Sequence, residues 1–343
     1  MLDRKQLDLT INTTMRLEVI EGLIEKINAY YIFPEIAKKM EKGIRTRLEG
    51  RKYDSITSAA DLCKTLTEHL QEISHDKHLS VIYSYEPRPI SDDEAGPGPQ
   101  EREKWHRIAR LTNFEFEKVE RLGGNIGYLD FRGFMPPELA AETAIGAMGF
   151  LANTSALIID LRHNGGGSPA MVAFMCSYFF DAEPVHLNDL YHRLSDLTHQ
   201  WWTLPYIPGK RYVDKAVYLL TSHHTFSGAE EFAYNLKNLK RAILIGETTG
   251  GGAHPTGGYQ INEHFVVGVP NGRAINPITG TNWEGTGVMP DIEVPAELAL
   301  ETAHLTALEK LLETNTNDLL TGELHEIIET VRTKLEAMKS SAV

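Results

Sequence analysis

Cysteine is almost missing from this chain: Cys63 and Cys176 are the two in 343 residues. A disulfide scaffold and a Cys-rich zinc site are excluded by that count, and both thiols sit in helix-like apolar patterns that read as packing. No apolar run approaches the roughly 18 residues of a membrane-spanning helix. The start, Met1-Leu2-Asp3-Arg4-Lys5, has no apolar signal-peptide segment, so the expectation is a cytoplasmic protein, or a periplasmic or secreted one whose leader is removed. Positive charge is in short supply, with 34 Lys and Arg against 47 Asp and Glu and a net charge of −13. A chain of that sign lacks the footprint for phosphate backbones, so nucleic acid is not an expected partner. His-Glu-x-x-His is absent, and neither His75-x-x-His78 nor His223-His224 belongs to a ligand set spaced for tetrahedral zinc. No metal or cofactor is implied, and no internal repeat is visible.

What is present is ordinary globular composition, 42% hydrophobic and 24% charged, which rules out wholesale disorder. The first 85 residues read as helical and end in a strand. Ile20, Leu23, Ile24, Ile27 and Tyr31 recur at helix spacing after Asn12-Thr13-Thr14; Pro34 opens a second helix with Ile36, Met40, Ile44 and Leu48; a third follows Ser58 with Leu62, Leu66, Leu70 and Ile73. Leu79 to Tyr85 reads as the strand. Residues 86–124 read as a linker and connecting segment, with an exposed loop over 90–100. From 125 to 315 strands alternate with helices. Ile126 to Phe131, Ala156 to Leu161, Ala216 to Leu220 and Ala242 to Ile245 are strands separated by helical patterns, which predicts βαβ units and a mostly parallel sheet. Gly257 to Val269 looks like a hairpin, and 316–343 a C-terminal helix or tail.

Chemistry in such a sheet collects on loops at the carboxyl ends of its strands. Two loops stand out. His163-Asn164-Gly165-Gly166-Gly167-Ser168 follows one strand, and consecutive glycines let backbone N–H groups face a ligand or oxyanion, although a glycine triplet alone is more often a tight turn. No Gly-Lys-Ser/Thr follows, so it is not a nucleotide-phosphate loop. Thr221 to Glu230 joins a strand to a helix and presents Ser227 at the turn, where a helix N-terminus stabilises a developing oxyanion. Taken alone, Ser227-x-x-Glu230 is also a capping box. A serine nucleophile needs a base and the base an orienter. Among 14 histidines, His78, His223, His224, His254 and His264 lie near strand ends, and spacing does not choose among them.

Taken in order, these segments resemble the C-terminal processing (tail-specific) peptidase family, in the branch of the interphotoreceptor retinoid-binding protein modules and the tricorn protease core. The resemblance rests on Gly127 to Phe131, on Asp160-x-Arg162-x-Asn164-Gly165-Gly166-Gly167, and on Thr225-x-Ser227-Gly228-Ala229-Glu230-x-Phe232. It continues through Gly246-Glu247-Thr248-Thr249-Gly250-Gly251 and Glu284-Gly285-x-Gly287-Val288-x-Pro290-Asp291-Ile292, with Asp76-x-His78 upstream. It implies an N-terminal helical bundle followed by a peptidase core of the ClpP/crotonase-like kind. About 40 residues separate Tyr85 from Ile126, too few for the PDZ domain that many members insert there. The Ser-Lys branch carries its lysine where Gly252 stands here, so the resemblance implies the Ser-His arrangement with Ser227 as nucleophile, His78 as base and Glu284 in support. The auxiliary serine before the histidine is replaced by Lys77, which leaves Asp76, Ser74 and Ser80 as orienters of the imidazole. Gly228 and one of Gly165, Gly166 and Gly167 are the implied oxyanion donors.

The expected function is therefore serine-type hydrolysis of peptide bonds, with a peptide or protein substrate and oligomerisation left open. An imidazole base at the usual histidine value would place the acid limb of the rate near about pH 6–7. The alternative is a non-catalytic binder of an apolar, retinoid- or lipid-like ligand, for which Trp201, Trp202, Leu204, Tyr206 and Ile207 form a dense apolar stretch.

Overall fold

The computed structural model describes residues 7–89, 99–314 and 318–341. The protein is mixed α/β and divides into two compact units. One takes the described residues up to Glu101 with Leu190–His199 and His254–Ala274. The other takes Arg102–Asp189, Gln200–Ala253 and the described residues from Ile275 onward.

The first unit is built on three helices, Thr13–Tyr30, Pro34–Glu49 and Ala59–Ser74. Their starts are set locally. Asn12 Oδ1 accepts the Met15 N–H and Ser58 Oγ accepts the Asp61 N–H, each at 3.0 Å, while Pro34 occupies a first-turn position that needs no N–H. Ile20, Leu23, Ile27, Met40, Ile44, Leu62, Leu66 and Leu70 are fully buried, at about 1.5–3 kcal/mol of hydrophobic stabilisation each. An antiparallel sheet places Phe265–Pro270 between Ser80–Tyr83 and Thr256–Gln260. Its Val81, Tyr259, Phe265, Val267 and Val269 join the helical core, so the expected hairpin completes a core begun far upstream.

The second unit holds a six-stranded sheet in the order Ile292–Glu293, Ile243–Gly246, Val217–Thr221, Ala156–Asp160, Ile126–Phe131 and Phe116–Leu122. The first five strands are parallel, as the alternation predicts, and the last is antiparallel to its neighbour. One face, with Ile126, Tyr128, Ile158, Leu220 and Ile245, packs on helices Ala299–Thr314 and Asp318–Ser341; Ala299, Ala303 and Ala307 are small enough to let the first lie close. On the other face Phe131 meets Phe134, which meets Phe232 on helix Gly228–Asn238.

Several elements were not expected from the sequence. Phe116–Leu122, inside the segment read as a connection, is the sheet's edge strand. Its Phe-Glu-Lys-Val-Glu-Arg-Leu carries the charge typical of an edge, and a register shift lies between Phe116 and Lys118. The stretch with Trp201 and Trp202 is the strand Leu197–Trp202; Trp202 stacks on His186 at 4.3 Å, Ile207 is buried, and Tyr206 is exposed. The expected loop over 90–100 lies outside the described residues, apart from its last two, which open the helix Pro99–Leu111. No helix among the described residues is long and apolar enough to cross a membrane.

Candidate active site

In the second unit Ser227 stands between the strand Val217–Thr221 and the helix Gly228–Asn238. Its backbone has φ 54° and ψ −120°, a left-handed conformation that costs a non-glycine residue about 1–3 kcal/mol and persists only where neighbours enforce it. They do so here. Phe226 N–H donates to Asn164 O at 3.1 Å, Gly250 N–H to Thr225 O at 2.9 Å, and Thr225 Oγ1 to Leu161 O at 2.7 Å. The Glu230 carboxylate does most. Its Oε2 accepts the Ser227 N–H at 2.9 Å and the Gly252 N–H at 2.8 Å, and its Oε1 accepts the Gly251 N–H at 2.6 Å and the Thr249 hydroxyl. Burial raises the Glu230 pKa against those four donors, which pull it down. The Glu230 side of the capping box is therefore in place, and the same carboxylate ties the serine turn to the 249–252 loop.

The glycine loop backs directly onto this turn. A Cβ on Gly166, whose φ is 94°, would lie 2.5 Å from Gly228 N and 2.9 Å from Ser227 Cβ; one on Gly167 would lie 2.3 Å from Phe134 O. Only glycine permits that approach. Asn164, fully buried, fixes the loop by donating to Phe131 O and accepting the Gly166 N–H at 2.9 Å. The Gly165 N–H is engaged by Arg132 O. Of the three glycines, that leaves the Gly167 N–H beside Gly228 as the one not already committed among the described residues.

Glu284 follows Asn282, whose side chain accepts its N–H at 2.9 Å. Glu284 Oε2 accepts the Ala253 N–H at 2.6 Å, the Trp283 indole donates to Gly252 O at 2.7 Å, and Gly285 N–H donates to Gly251 O. Ser227, Glu230 and Glu284 are thus linked through one short loop, 249–253.

In the first unit His78 lies just after the helix Ala59–Ser74, which ends at His75 in a left-handed conformation. Asp76 is buried. Its Oδ1 accepts the His78 N–H at 3.0 Å and lies 4.0 Å from His78 Nδ1. Its N–H donates to Ser74 Oγ, which itself donates to Leu70 O, so Ser74 holds the turn. Ser80 opens the strand paired with Gly268, and Lys77 is exposed. Burial is the main influence on His78 and pushes its pKa down to about 4, below the ordinary histidine range assumed for the acid limb; Asp76 raises it and His254 lowers it further.

The other histidines sort by surroundings. His223 and His224 are exposed, with their rings tilted against each other, His223 bonding Glu247, while His264 bonds Ser84 O. His254 is buried, with Nδ1 2.7 Å from Asp76 Oδ2. Sequence reasoning named His254 only among five histidines, and gave Glu230 a cap's role and a place in the segment around Ser227. The capping-box spacing was the available signal for Glu230; nothing local marked the pairing of residues 76 and 254.

The pattern described as "Peptidase family S41" matches residues 125–294, and that described as "N-terminal domain of Peptidase_S41 in eukaryotic IRBP" matches residues 9–117. The chain belongs to peptidase family S41. A tail-specific protease of Haemophilus influenzae is 32% identical over 102 residues, a match covering 28% of this S41 chain and only 13% of that protein. Among solved structures, the photosystem II D1 C-terminal processing protease superposes with TM-score 0.50 at 15% identity over 84% of this chain and 95% of the other. The tricorn protease does so with TM-score 0.52 at 14% identity over 92% and 37%. At those identities the superpositions speak for the S41 fold.

Proposed function

We propose that this S41 protein is a serine peptidase acting on a peptide or protein substrate. Ser227 Oγ attacks the scissile carbonyl, and His78, neutral at pH 7, takes the hydroxyl proton and returns it to the leaving amine. The N–H groups of Gly167 and Gly228 receive the oxyanion. Glu284 supports the base electrostatically. The observation that carries the reading is the serine turn itself. A strained non-glycine residue at a helix N-terminus is held by a four-donor carboxylate, with glycine backbone at 2.5 Å from where a Cβ would be. A packing turn needs none of that strain.

The test is labelling of the full chain with a fluorophosphonate and mapping of the adduct. Ser227 should carry it, and Ser227→Ala should be unlabelled and inactive on peptides while keeping its far-UV spectrum. Undiminished hydrolysis by Ser227→Ala sinks the assignment. No adduct, together with saturable retinol binding, favours a non-catalytic binder.

A further inference from the structure

A neutral imidazole carries one proton, and it acts as a base only if that proton sits on the nitrogen turned away from the hydroxyl. The two oxygens of Asp76 divide their partners. Oδ1 faces His78, with the backbone N–H at 3.0 Å and ring Nδ1 at 4.0 Å. Oδ2 is held by His254 Nδ1 at 2.7 Å and by the Tyr31 hydroxyl at 3.2 Å. Asp76 and His254 are both buried, where a carboxylate without donors is strongly disfavoured. The short bond requires the proton on His254 Nδ1, since the carboxylate accepts. His254 is itself fixed: Phe33 meets its ring edge-on at 5.5 Å, and Pro255 restricts its backbone to extended conformations. With Oδ2 held by two donors and Oδ1 by the His78 backbone N–H, the carboxylate keeps Oδ1 4.0 Å from His78 Nδ1, a contact of charge rather than a hydrogen bond.

We propose that His254 is a positioning residue for the base: by holding Asp76 it keeps the His78 proton on Nδ1 and leaves Nε2 as the proton acceptor. This rests on the reading of His78 as base, and it supplies what the auxiliary serine replaced by Lys77 does not. Burial of the His78 ring keeps it neutral at pH 7, so the tautomer is the quantity that matters.

The experiment is nitrogen NMR of the full chain with ¹⁵N-histidine, at neutral pH, on folded variants checked by circular dichroism. Wild type should show His78 as the Nδ1–H tautomer. His254→Leu and Asp76→Asn should move it toward Nε2–H, and Tyr31→Phe should do so in part. His254→Asn, whose amide N–H replaces the Nδ1 donor, should restore it. In peptide hydrolysis His254→Leu should lose about 10²-fold in kcat with KM within about twofold, and His254→Asn should recover most of the loss. A His78 tautomer unchanged in folded His254→Leu overturns the proposal, as does His254→Asn behaving like His254→Leu. Should His254→Leu fail to fold, Asp76→Asn and Tyr31→Phe decide the same question. The labelling of Ser227 is independent of these spectra. A wild type that takes no fluorophosphonate yet shows the expected tautomer shifts refutes the peptidase reading and leaves the Asp76–His254 assignment standing.

Discussion

Glu231 should make this protein less stable as pH rises, and Glu231→Gln should remove that loss. The residue follows Glu230 on the helix Gly228–Asn238 but points into the core, where it is buried and its Oε1 meets no hydrogen-bond partner among the described residues. Burial pushes its pKa from the ordinary 4.5 to about 8, with Asn188 pulling the other way, and its charge helps to raise the buried Cys176 thiol. Between those two values the unfolded chain has released the proton and the folded chain still holds it. Unfolding therefore releases a proton, and stability falls with pH. At about 1.4 kcal/mol per tenfold change in proton affinity, the loss is roughly 3 kcal/mol by pH 7 and about 5 kcal/mol above pH 8. Glutamine has the same shape and no proton to lose. The difference in unfolding free energy between Glu231→Gln and wild type should be near a constant offset at about pH 4 and grow in favour of glutamine toward pH 8. Urea unfolding followed by tryptophan fluorescence across that range measures it, and subtraction cancels every other titrating group, His78 included. A difference that does not change with pH would refute a neutral, buried Glu231.

His78 slopes the opposite way. Its pKa is about 4 folded against 6.5 unfolded, so stability present above pH 6.5 should drain by about 3 kcal/mol as pH falls through 4, and His78→Leu should abolish that slope in acid urea titrations. The acid limb of kcat/KM should likewise fall near pH 4, and a limb at about pH 6.5 would show that the working enzyme does not keep this ring buried. Glu230→Gln sets an amide NH₂ against two of the four donors now satisfied by carboxylate oxygens, so it should cost about 2–4 kcal/mol and slow fluorophosphonate labelling; normal stability and labelling would contradict its role at the turn. Gly166→Ala should block labelling outright, because the new Cβ would sit 2.5 Å from Gly228 N at a φ of 94°; a wild-type labelling rate would contradict the backbone approach.

Periodicity and punctuation are local properties, and what they govern was readable in the chain. The three N-terminal helices follow from 3.6-residue apolar spacing with Asn12, Pro34 and Ser58 at or beside their starts. The parallel sheet follows from buried strands alternating with helical segments, and Ser227 follows as the residue at a strand-to-helix turn. Elements whose pattern is weak were not readable. Phe116–Leu122 and Leu197–Trp202 are largely exposed and carry polar residues, so they lack the continuous apolar signature of central strands. Which stretch completes which core was also a tertiary matter, since Phe265 and Val267 bury against helices some two hundred residues upstream only once the hairpin docks. The site's electrostatics belong there too. Glu230 gathers donors from 227, 249, 251 and 252, and Asp76 meets a histidine 178 positions away. Adjacent Glu230 and Glu231 look alike in sequence, yet one is a four-donor acceptor and the other is buried with an oxygen that meets no hydrogen-bond partner among the described residues. Hydrogen-bond partners and desolvation depend on what packs around a group, and a linear chain does not carry that information until it folds.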